Sequence, residues 1–183
     1  MRTSLTHPLY VSWIPLDGDD GKLGMTLCPG KYQPVASTGA WDRQLDVDLT
    51  ALVTMGTHRL VSLVTEEDMR VLRVESLGVD ALASGMVWDH LPIEDTTVPT
   101  PEWMEAAIPV LEKLVVDIPE GEVAVVHCMG GLSRAGTFMA LYLWMRGMSM
   151  QQAIDHVREH RSRNCININQ QMFLLRFALL GDD

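Results

Sequence analysis

The stretch of sequence that decides the fold is His127-Cys128-Met129-Gly130-Gly131-Leu132-Ser133-Arg134-Ala135-Gly136-Thr137. It follows the apolar run 123–126, which is typical of a buried strand, and it precedes the apolar run 138–145, which is typical of a buried helix. A strand, a glycine-containing loop and a helix N-terminus form an anion site, because several backbone N–H groups converge there without an intrahelical partner. The stretch therefore predicts a strand, an anion-binding loop and a helix in direct succession.

Two side chains add chemistry to this loop. Cys128 and Arg134 are separated by five residues, and neither of the other two cysteines has an arginine at that offset. Arginine can hold two phosphate oxygens at once, which lysine cannot do. The attacking species of a nucleophilic cysteine is the thiolate, which the helix N-terminus, the loop amides and Arg134 would stabilise. We predict that Cys128 is a nucleophile towards phosphorus. The predicted phosphate-binding residues are Met129, Gly130, Gly131, Leu132, Ser133 and Arg134.

A plainer alternative makes Cys128 an inert core cysteine and Arg134 an ordinary residue at a helix start. The two glycines and the arginine argue against this alternative, because an inert core cysteine requires no glycines and no arginine beside it. His127 is expected to make a supporting hydrogen bond beneath the loop rather than to act as a base.

The leaving group of a phosphomonoester must be protonated as it departs, which requires a carboxylic acid on a second element. Asp95 is the first candidate, because it lies in the loop 91–99, which two prolines bracket and which follows a predicted strand. Glu94 and Asp89 are the competing candidates. After the first step the same group would act as the base that activates water.

A hydrolytic second step also requires a group that positions the water. Gln170 and Gln171, near the start of the last predicted helix, are the candidates; as an alternative they are polar residues of a helix face. A basic cluster of His156, His160, Arg158, Arg161 and Arg163 is interpreted as a solvated helix end, with a substrate-binding rim as the alternative.

Composition narrows the class of protein. The 183 residues are 47% hydrophobic and carry a net charge of −10, which is typical of a soluble globular domain and argues against nucleic acid and anionic membrane surfaces as partners. Three widely spaced cysteines suggest neither a disulfide framework nor a metal cluster. We expect one domain over residues 1–183, a reducing cytoplasmic setting and no cofactor or metal.

Hydrophobic periodicity predicts an α/β fold with a central, mostly parallel sheet flanked by helices. The stretches 17–21 and 28–30 are turn-rich and are expected to be irregular, and Pro109 is expected to kink or interrupt its helix. The predicted strands cover 10–14, 59–64, 86–90 and 123–126. The predicted helices cover 42–55, 65–77 with a stop at Gly78, 100–116, 134–146, 149–160 and 169–180.

From about Leu23 to Leu180 the chain resembles the cysteine-based protein tyrosine phosphatase superfamily, and within it the dual-specificity group. The resemblance rests on Leu23-Gly24 with Cys28-Pro29-Gly30, on Pro92-Ile93-x-Asp95 and on the signature His-Cys-x5-Arg at 127–134. It implies the phosphatase-type fold, a metal-free two-step mechanism, a phosphoprotein substrate, and the roles of Cys128, Arg134 and Asp95 given above. It also favours Gln170 over Gln171 as the water-orienting residue.

One position departs from the family pattern. The residue after the arginine is usually serine or threonine, whose hydroxyl stabilises the thiolate as it leaves the intermediate, and here it is Ala135. We therefore expect slow breakdown of the phosphocysteine, and a slow or inactive phosphate-binding module is the alternative function. Phosphoinositide phosphatase activity is disfavoured because the loop 129–133 has no lysine to bind a polyanionic headgroup. The acidic net charge of the chain argues against RNA triphosphatase activity. Sulfur transfer is disfavoured because rhodanese-like loops lack a distant acid such as Asp95.

Overall fold

The computed structural model describes residues 1–36 and 39–181 of the chain. Within these residues the β-strands are β1 (Ser12–Ile14), β2 (Lys22–Leu27), β3 (Tyr32–Gln33), β4 (Trp41–Asp42), β5 (Arg59–Ser62), β6 (Val87–His90) and β7 (Val123–Cys128). The helices are α1 (Leu45–Thr54), α2 (Glu66–Leu72), α3 (Leu77–Ala83), α4 (Pro101–Asp117), α5 (Ser133–Met145), α6 (Met150–His160) and α7 (Ile168–Gly181).

The main sheet has the strand order β1-β2-β7-β5-β6 in the described part of the chain. Strand β1 runs antiparallel to β2, and the other neighbouring pairs are parallel. The predicted α/β fold with a mostly parallel sheet is confirmed. Cys128 is the last residue of the central strand β7, so the loop after it lies at the carboxyl edge of the sheet, where ligand sites form in parallel α/β folds.

Alternate side chains of β7 enter two hydrophobic clusters, one on each face of the sheet. Ala124, Val126 and Cys128 belong to the cluster that includes side chains of α4, α5, α6 and α7. Val125 belongs to the cluster that includes side chains of α1, α2 and α3. This alternation follows from the period of two along a strand, and it places Cys128 on the face that α5 covers.

Strand β2, which lies between the turn-rich stretches 17–21 and 28–30, was not predicted from the sequence. Its residues Lys22–Leu27 pair in parallel with β7, and Leu27 lies opposite Cys128. Glycine inside a strand usually weakens it, so Gly24 at the centre of this segment gave no strand signal. In this fold a glycine is required at position 24, because a Cβ there would lie 2.4 Å from a methyl carbon of Val11 and 2.8 Å from the ring of Trp13.

The predicted helix 65–77 is wrong in its extent, because two helices, α2 and α3, occupy this region. Helix α2 ends at Arg73, which adopts a left-handed conformation, and this break lets both Leu72 and Val74 enter the same hydrophobic cluster. Gly78 lies inside α3 rather than ending a helix. Its place is set by packing, since a Cβ there would lie 2.5 Å from the ring of Trp88.

The remaining predicted helices are present with small shifts of their ends. Helix α1 begins at Leu45 rather than at Asp42, which belongs to β4. Helix α4 is continuous through Pro109, so the predicted interruption does not occur. The N-cap at Thr65 and the capping box of Ser149 with Gln152 are confirmed. In the part of the chain that the structure describes, no helix is long and apolar enough to cross a membrane.

A buried ion pair fixes the segment that follows β2. Asp48 receives hydrogen bonds from Arg43 at 2.7 and 2.8 Å, and its Oδ2 also accepts the backbone N–H of Gly30 at 2.8 Å. Both side chains are 1% exposed. Gly30 has a φ of +72°, and a Cβ there would overlap Leu45. The pair thus joins α1 to the turn at 28–31, which adjoins the loop after Cys128.

Replacing Asp48 should be costly, because it leaves the buried Arg43 guanidinium without its counter-charge. We expect Asp48→Ala to lower the free energy of unfolding by about 3–5 kcal/mol. Asp46→Ala is the matched control, since Asp46 lies in the same first helical turn but is exposed; it should change stability by about 0.5 kcal/mol or less. Chemical denaturation measures both, and equal effects would contradict a structural role for the pair.

Candidate active site

The loop 129–132 connects the end of β7 to the first turn of α5. Gly131 has a φ of +66°, and a Cβ there would lie 2.2 Å from the backbone oxygen of Thr26. Glycine is therefore required at 131 by both conformation and space. A Cβ on Gly130 would meet no atom within 4 Å, so packing does not require the first glycine of the pair.

The backbone N–H groups of this loop are available to a ligand. Among the described residues, those of 129–132 donate to no protein acceptor. Free amides at the start of a helix are the usual donors to a bound anion. The loop therefore has the donor set that the sequence predicts for phosphate.

Arg134 is 1% exposed and is held from one side only. Its Nη1 donates to Asp68 Oδ2 at 2.5 Å and to the backbone oxygens of Ile93 at 3.0 Å and Leu63 at 3.4 Å. Its Nε and Nη2 are buried and have no hydrogen-bond partner within the described chain. The edge formed by Nε and Nη2 therefore makes no hydrogen bond among the described residues and has the geometry for a bidentate contact with two oxygens.

Arg134 is protonated in this environment. Burial by itself lowers the pKa of Arg134, but the charges of Cys128, Asp68 and Asp95 outweigh burial and raise that pKa above its ordinary value. Arg134 therefore keeps its positive charge at neutral pH.

Asp95 lies beside this guanidinium. Its Oδ1 is 3.1 Å from Arg134 Nε, out of line for a hydrogen bond, and its side chain is 49% exposed. The competing acids lie elsewhere: Asp89 pairs with Arg59 at 2.6 Å, and Glu94 is exposed. Of the three candidates, only Asp95 is brought to the loop of Cys128.

Gln170 is buried where α7 meets both the Asp95 loop and α5. Its Nε2 donates to the backbone oxygen of Thr97 at 2.9 Å and to Ser133 Oγ at 2.9 Å, and its Oε1 accepts from the backbone N–H of Asn167 at 3.0 Å. Gln171 instead accepts from Arg158 at 2.9 Å. Gln170, and not its neighbour, therefore stands at the site.

His127 makes the supporting contacts expected of it. Its Nε2 is 2.6 Å from Ser62 Oγ, which also accepts the indole N–H of Trp88 at 2.8 Å, and its Nδ1 is 3.4 Å from the backbone oxygen of Cys128. We assign the proton of the neutral ring to Nδ1, so that Ser62 donates to Nε2. Burial lowers the pKa of His127 to about 3, so the ring is neutral and does not serve as a base.

The two other cysteines differ from Cys128 in their surroundings. All three are buried and free. Burial raises the pKa of the Cys28 thiol far above its ordinary value and that of Cys165 to about 11. These two residues are therefore thiols at neutral pH, and of the three cysteines only Cys128 has an arginine six residues further along the chain.

A cavity of about 270 Å³ joins these groups at the carboxyl edge of the sheet. Its lining comprises Lys31, Gln33, Ala36, Asp95, Thr96, Cys128, Met129, Gly130, Leu132 and Ser133. Two larger clefts, of about 1070 and 720 Å³, lie along α7 and are mainly apolar. The small cavity is the candidate active site, because it holds the cysteine, the carboxylate and the loop together.

Three residues of the site were missed from the sequence. Asp68 orients Arg134, Lys31 donates to the backbone oxygen of Met129 at 3.2 Å, and Arg161 donates to that of Gly131 at 3.0 Å. Asp68 also belongs to the capping box of α2, and that local role concealed the distant one. Nothing in the sequence near Lys31 signals its contact, which spans 98 residues.

The interpretation of the basic cluster as a solvated helix end is wrong for its two inner arginines. Arg158 donates to the backbone oxygens of Cys165 and Ile166, and Arg161 to those of Gly130 and Gly131. Backbone oxygens left without partners by turns of the chain draw these guanidinium groups inward.

The buried neutral His127 predicts a stability that depends on pH. Its pKa is about 3 in the folded chain and about 6.5 when unfolded. Between these values the unfolded chain binds one proton more. Stability should therefore be fully present above pH 6.5 and decline as the pH falls, with a slope of up to about 1.4 kcal/mol per pH unit from this group.

His127→Asn should remove this contribution to the slope, as denaturant unfolding between pH 4 and 8 would show. His7→Asn is the control, because His7 is exposed and should leave the slope unchanged. A wild-type slope in His127→Asn would contradict the assignment of a buried neutral ring.

With this geometry in place, the relatives of the chain can be compared. A family model described as PTP-SAK, "Swiss Army Knife protein, DSP-PTPase phosphatase domain", matches residues 35–177. Cyclin-dependent kinase inhibitor 3 of Sus scrofa is 28% identical over 176 residues, which span 93% of this chain and 79% of that protein. PRL-1 phosphatase of Drosophila melanogaster is 32% identical over 123 residues, which span 66% of this chain and 69% of that protein.

A solved structure extends the likeness to three dimensions. Kinase-associated phosphatase, crystallised with its catalytic-site cysteine substituted by serine, superposes with a TM-score of 0.82 at 25% identity, covering 93% of this chain and 94% of that one. The sequence features at 23–30, 92–95 and 127–134 predict a resemblance to the kinase-associated phosphatase, and that resemblance is confirmed. The chain belongs to the dual-specificity group of the cysteine-based protein tyrosine phosphatases and, like its relatives, is a phosphatase.

Proposed function

We propose that this phosphatase removes phosphate from proteins, acting on phosphotyrosine, with phosphoserine and phosphothreonine as further candidate substrates, through a phosphocysteine intermediate. The observation that carries the proposal is the free edge of Arg134. Two buried guanidinium nitrogens, Nε and Nη2, make no hydrogen bond among the described residues, and Asp95, which lies 3.1 Å from Nε, lines the same cavity as Cys128. Buried donors without acceptors are costly, so a site that keeps them is built for an anion.

In the first step the thiolate of Cys128 attacks phosphorus, and the bond from phosphorus to the ester oxygen breaks. The amides of Met129 to Ser133 and the free edge of Arg134 bind the three non-bridging oxygens as their charge develops. Asp95, protonated, gives its proton to the departing oxygen, which leaves as the alcohol or phenol.

In the second step water attacks the phosphorus of the intermediate. Asp95, now a carboxylate, takes the proton from the water, the bond between phosphorus and sulfur breaks, and the thiolate of Cys128 is restored as inorganic phosphate leaves. We assign the orientation of this water to Gln170. Because its amide already bonds to Thr97 and Ser133, it must exchange one of these bonds in order to contact the water.

The contacts of Lys31 bear on the class of substrate. Lys31 lies on the cavity wall, and a lysine there would suit the polyanionic headgroup of a phosphoinositide, although the loop 129–133 itself contains no lysine. Two of its three N–H donors are already used, by Gln33 Oε1 at 3.0 Å and the backbone oxygen of Met129 at 3.2 Å. The ammonium thus serves the protein, and a phosphoprotein remains the proposed substrate. The name of the kinase-associated relative suggests a protein kinase as a candidate partner.

We further propose that residues 1–183 act as one catalytic domain. Its support is that the two hydrophobic clusters share one central strand, β7, and lie on opposite faces of one sheet.

The roles of Cys128 and Asp95 can be tested with a phosphotyrosine peptide. Cys128→Ser should abolish phosphate release. Asp95→Asn should lower kcat about 10²–10⁴-fold and flatten the basic limb of the pH profile of kcat/KM, because the acid is lost.

Glu94→Gln is the matched control, since Glu94 is the exposed neighbour in the same loop and should keep wild-type kcat. If Glu94→Gln instead shows the loss and Asp95→Asn does not, the acid has been assigned to the wrong residue.

The second candidate function, a slow or inactive phosphate-binding module, is favoured by Ala135. Its side chain is fully buried and offers no hydroxyl to the departing thiolate. The hydroxyl of Thr137 does not substitute for it, because it donates to the backbone oxygen of Ser133 at 3.0 Å. We therefore expect the breakdown of the phosphocysteine to be the slow step.

Rapid mixing with p-nitrophenyl phosphate should give a burst of nitrophenol followed by slow turnover. Ala135→Ser should raise the steady rate severalfold and shrink the burst, whereas Thr137→Val should change neither. An unchanged burst and turnover in Ala135→Ser would refute this explanation. Phosphate binding without any turnover in the wild type would identify the binding module.

A further inference from the structure

The loop 129–132 has an outer side, on which its carbonyl oxygens accept hydrogen bonds from other parts of the chain, and an inner side, on which its N–H groups donate to no acceptor among the described residues. The backbone oxygen of Met129 accepts from Lys31 Nζ at 3.2 Å and from the N–H of Cys28 at 3.3 Å. Arg161 donates to the oxygen of Gly130 through Nη2 at 3.4 Å and to that of Gly131 through Nε at 3.0 Å. Three consecutive carbonyls are therefore held by two cationic side chains from distant parts of the chain.

These contacts constrain the amides through the geometry of the peptide bond. In a planar trans peptide the C=O of one residue and the N–H of the next point in opposite directions. Holding the oxygens of Met129, Gly130 and Gly131 on the outer side therefore directs the N–H groups of Gly130, Gly131 and Leu132 to the inner side. These are amides that donate to no protein acceptor among the described residues.

Lys31 is firmly placed for this contact. It is 2% exposed, and Gln33 Oε1 accepts a second hydrogen bond from it at 3.0 Å. The preceding residue, Gly30, is bound to Asp48, which the buried ion pair with Arg43 holds in turn. Burial lowers the pKa of Lys31 to about 8, so the ammonium form still predominates at neutral pH. A lysine kept in so dry a place indicates a specific use of its donors.

Arg161 reaches the loop from the other side. It is the residue that ends α6, it is half-buried, and its Nη1 also lies 3.4 Å from Ser12 Oγ on β1. The planar guanidinium suits two neighbouring oxygens, which a lysine at the same place could reach only one at a time.

We propose that Lys31 and Arg161 are positioning residues of the active site, which hold the carbonyls of 129–131 outward and so preorganise the loop amides to bind the phosphoryl oxygens. Their charges also polarise the peptide groups, which strengthens the amides as donors. The inference rests on the proposed function, since it takes the loop amides as the phosphate site. Neither residue is assigned a contact with substrate.

Orthovanadate is the probe, because its binding depends on the loop amides and requires no turnover. Lys31→Met and Arg161→Met should each weaken vanadate inhibition at least tenfold and lower kcat/KM for a phosphotyrosine peptide by a similar factor. Arg161→Lys should restore part of both, because it keeps the charge and loses the fork.

Two variants control for charge alone. Lys113→Met removes a lysine that is 55% exposed, and Arg163→Met removes an exposed arginine two residues from Arg161. Both should keep the wild-type affinity for vanadate. Thermal unfolding of each variant tests for general damage, and Arg161, being less buried than Lys31, is the variant expected to keep the wild-type Tm.

Each outcome has one meaning for the proposal. Weaker vanadate binding in Lys31→Met and Arg161→Met at an unchanged Tm in Arg161→Met supports it. Wild-type affinity in both variants, or an equal loss in the two control variants, overturns it while leaving the proposed function intact. A wild-type chain that neither binds vanadate nor releases phosphate would overturn the proposed function instead.

Discussion

Arg134 is the constraint on which the arrangement of this site depends. Its guanidinium is buried at the first turn of α5, and a buried cation is tolerated only when other groups surround it with acceptors. Asp68, Leu63 and Ile93 supply them on one side, from three different segments of the chain. The opposite edge makes no hydrogen bond among the described residues, and Asp95 lies 3.1 Å from its Nε. A buried positive charge thus lies at the end of the central strand, beside the loop 129–132, whose amides donate to no acceptor in the described part of the chain.

The other buried polar side chains of the site, His127 and Gln170, are also held by hydrogen bonds to neighbouring groups. His127 is kept neutral under the loop by burial and by its contacts with Ser62 and the backbone, so it contributes shape and not charge. Gln170 ties the loop that carries Asp95 to α5 through Ser133 and Thr97. The loop that carries Asp95 and the first turn of α5 are therefore joined through one buried side chain.

Much of the fold was predictable because its signals are local. Continuous apolar runs marked β5 and β7, and side-chain caps marked the starts of α2, α4 and α6. Two of the errors involve a glycine. Strand β2, with Gly24 at its centre, was not predicted, and Gly78 in α3 was taken as a helix end, whereas each glycine is required by an aromatic side chain packed against it, Trp13 and Trp88 respectively. Whether a glycine ends an element or accommodates a neighbour is decided by residues distant in sequence.

The sequence by itself determined the chemistry that is encoded within one short segment. Cys128, the loop glycines and Arg134 lie on a contiguous strand, loop and helix, so their spacing specifies their geometry with little help from the rest of the chain. Only the tertiary structure decided which groups support them: Asp68, Lys31 and Arg161 come from 66, 98 and 30 residues away along the chain. Their contacts arise because parallel strands bring distant loops to one edge of a sheet, and no local pattern records which loops those are.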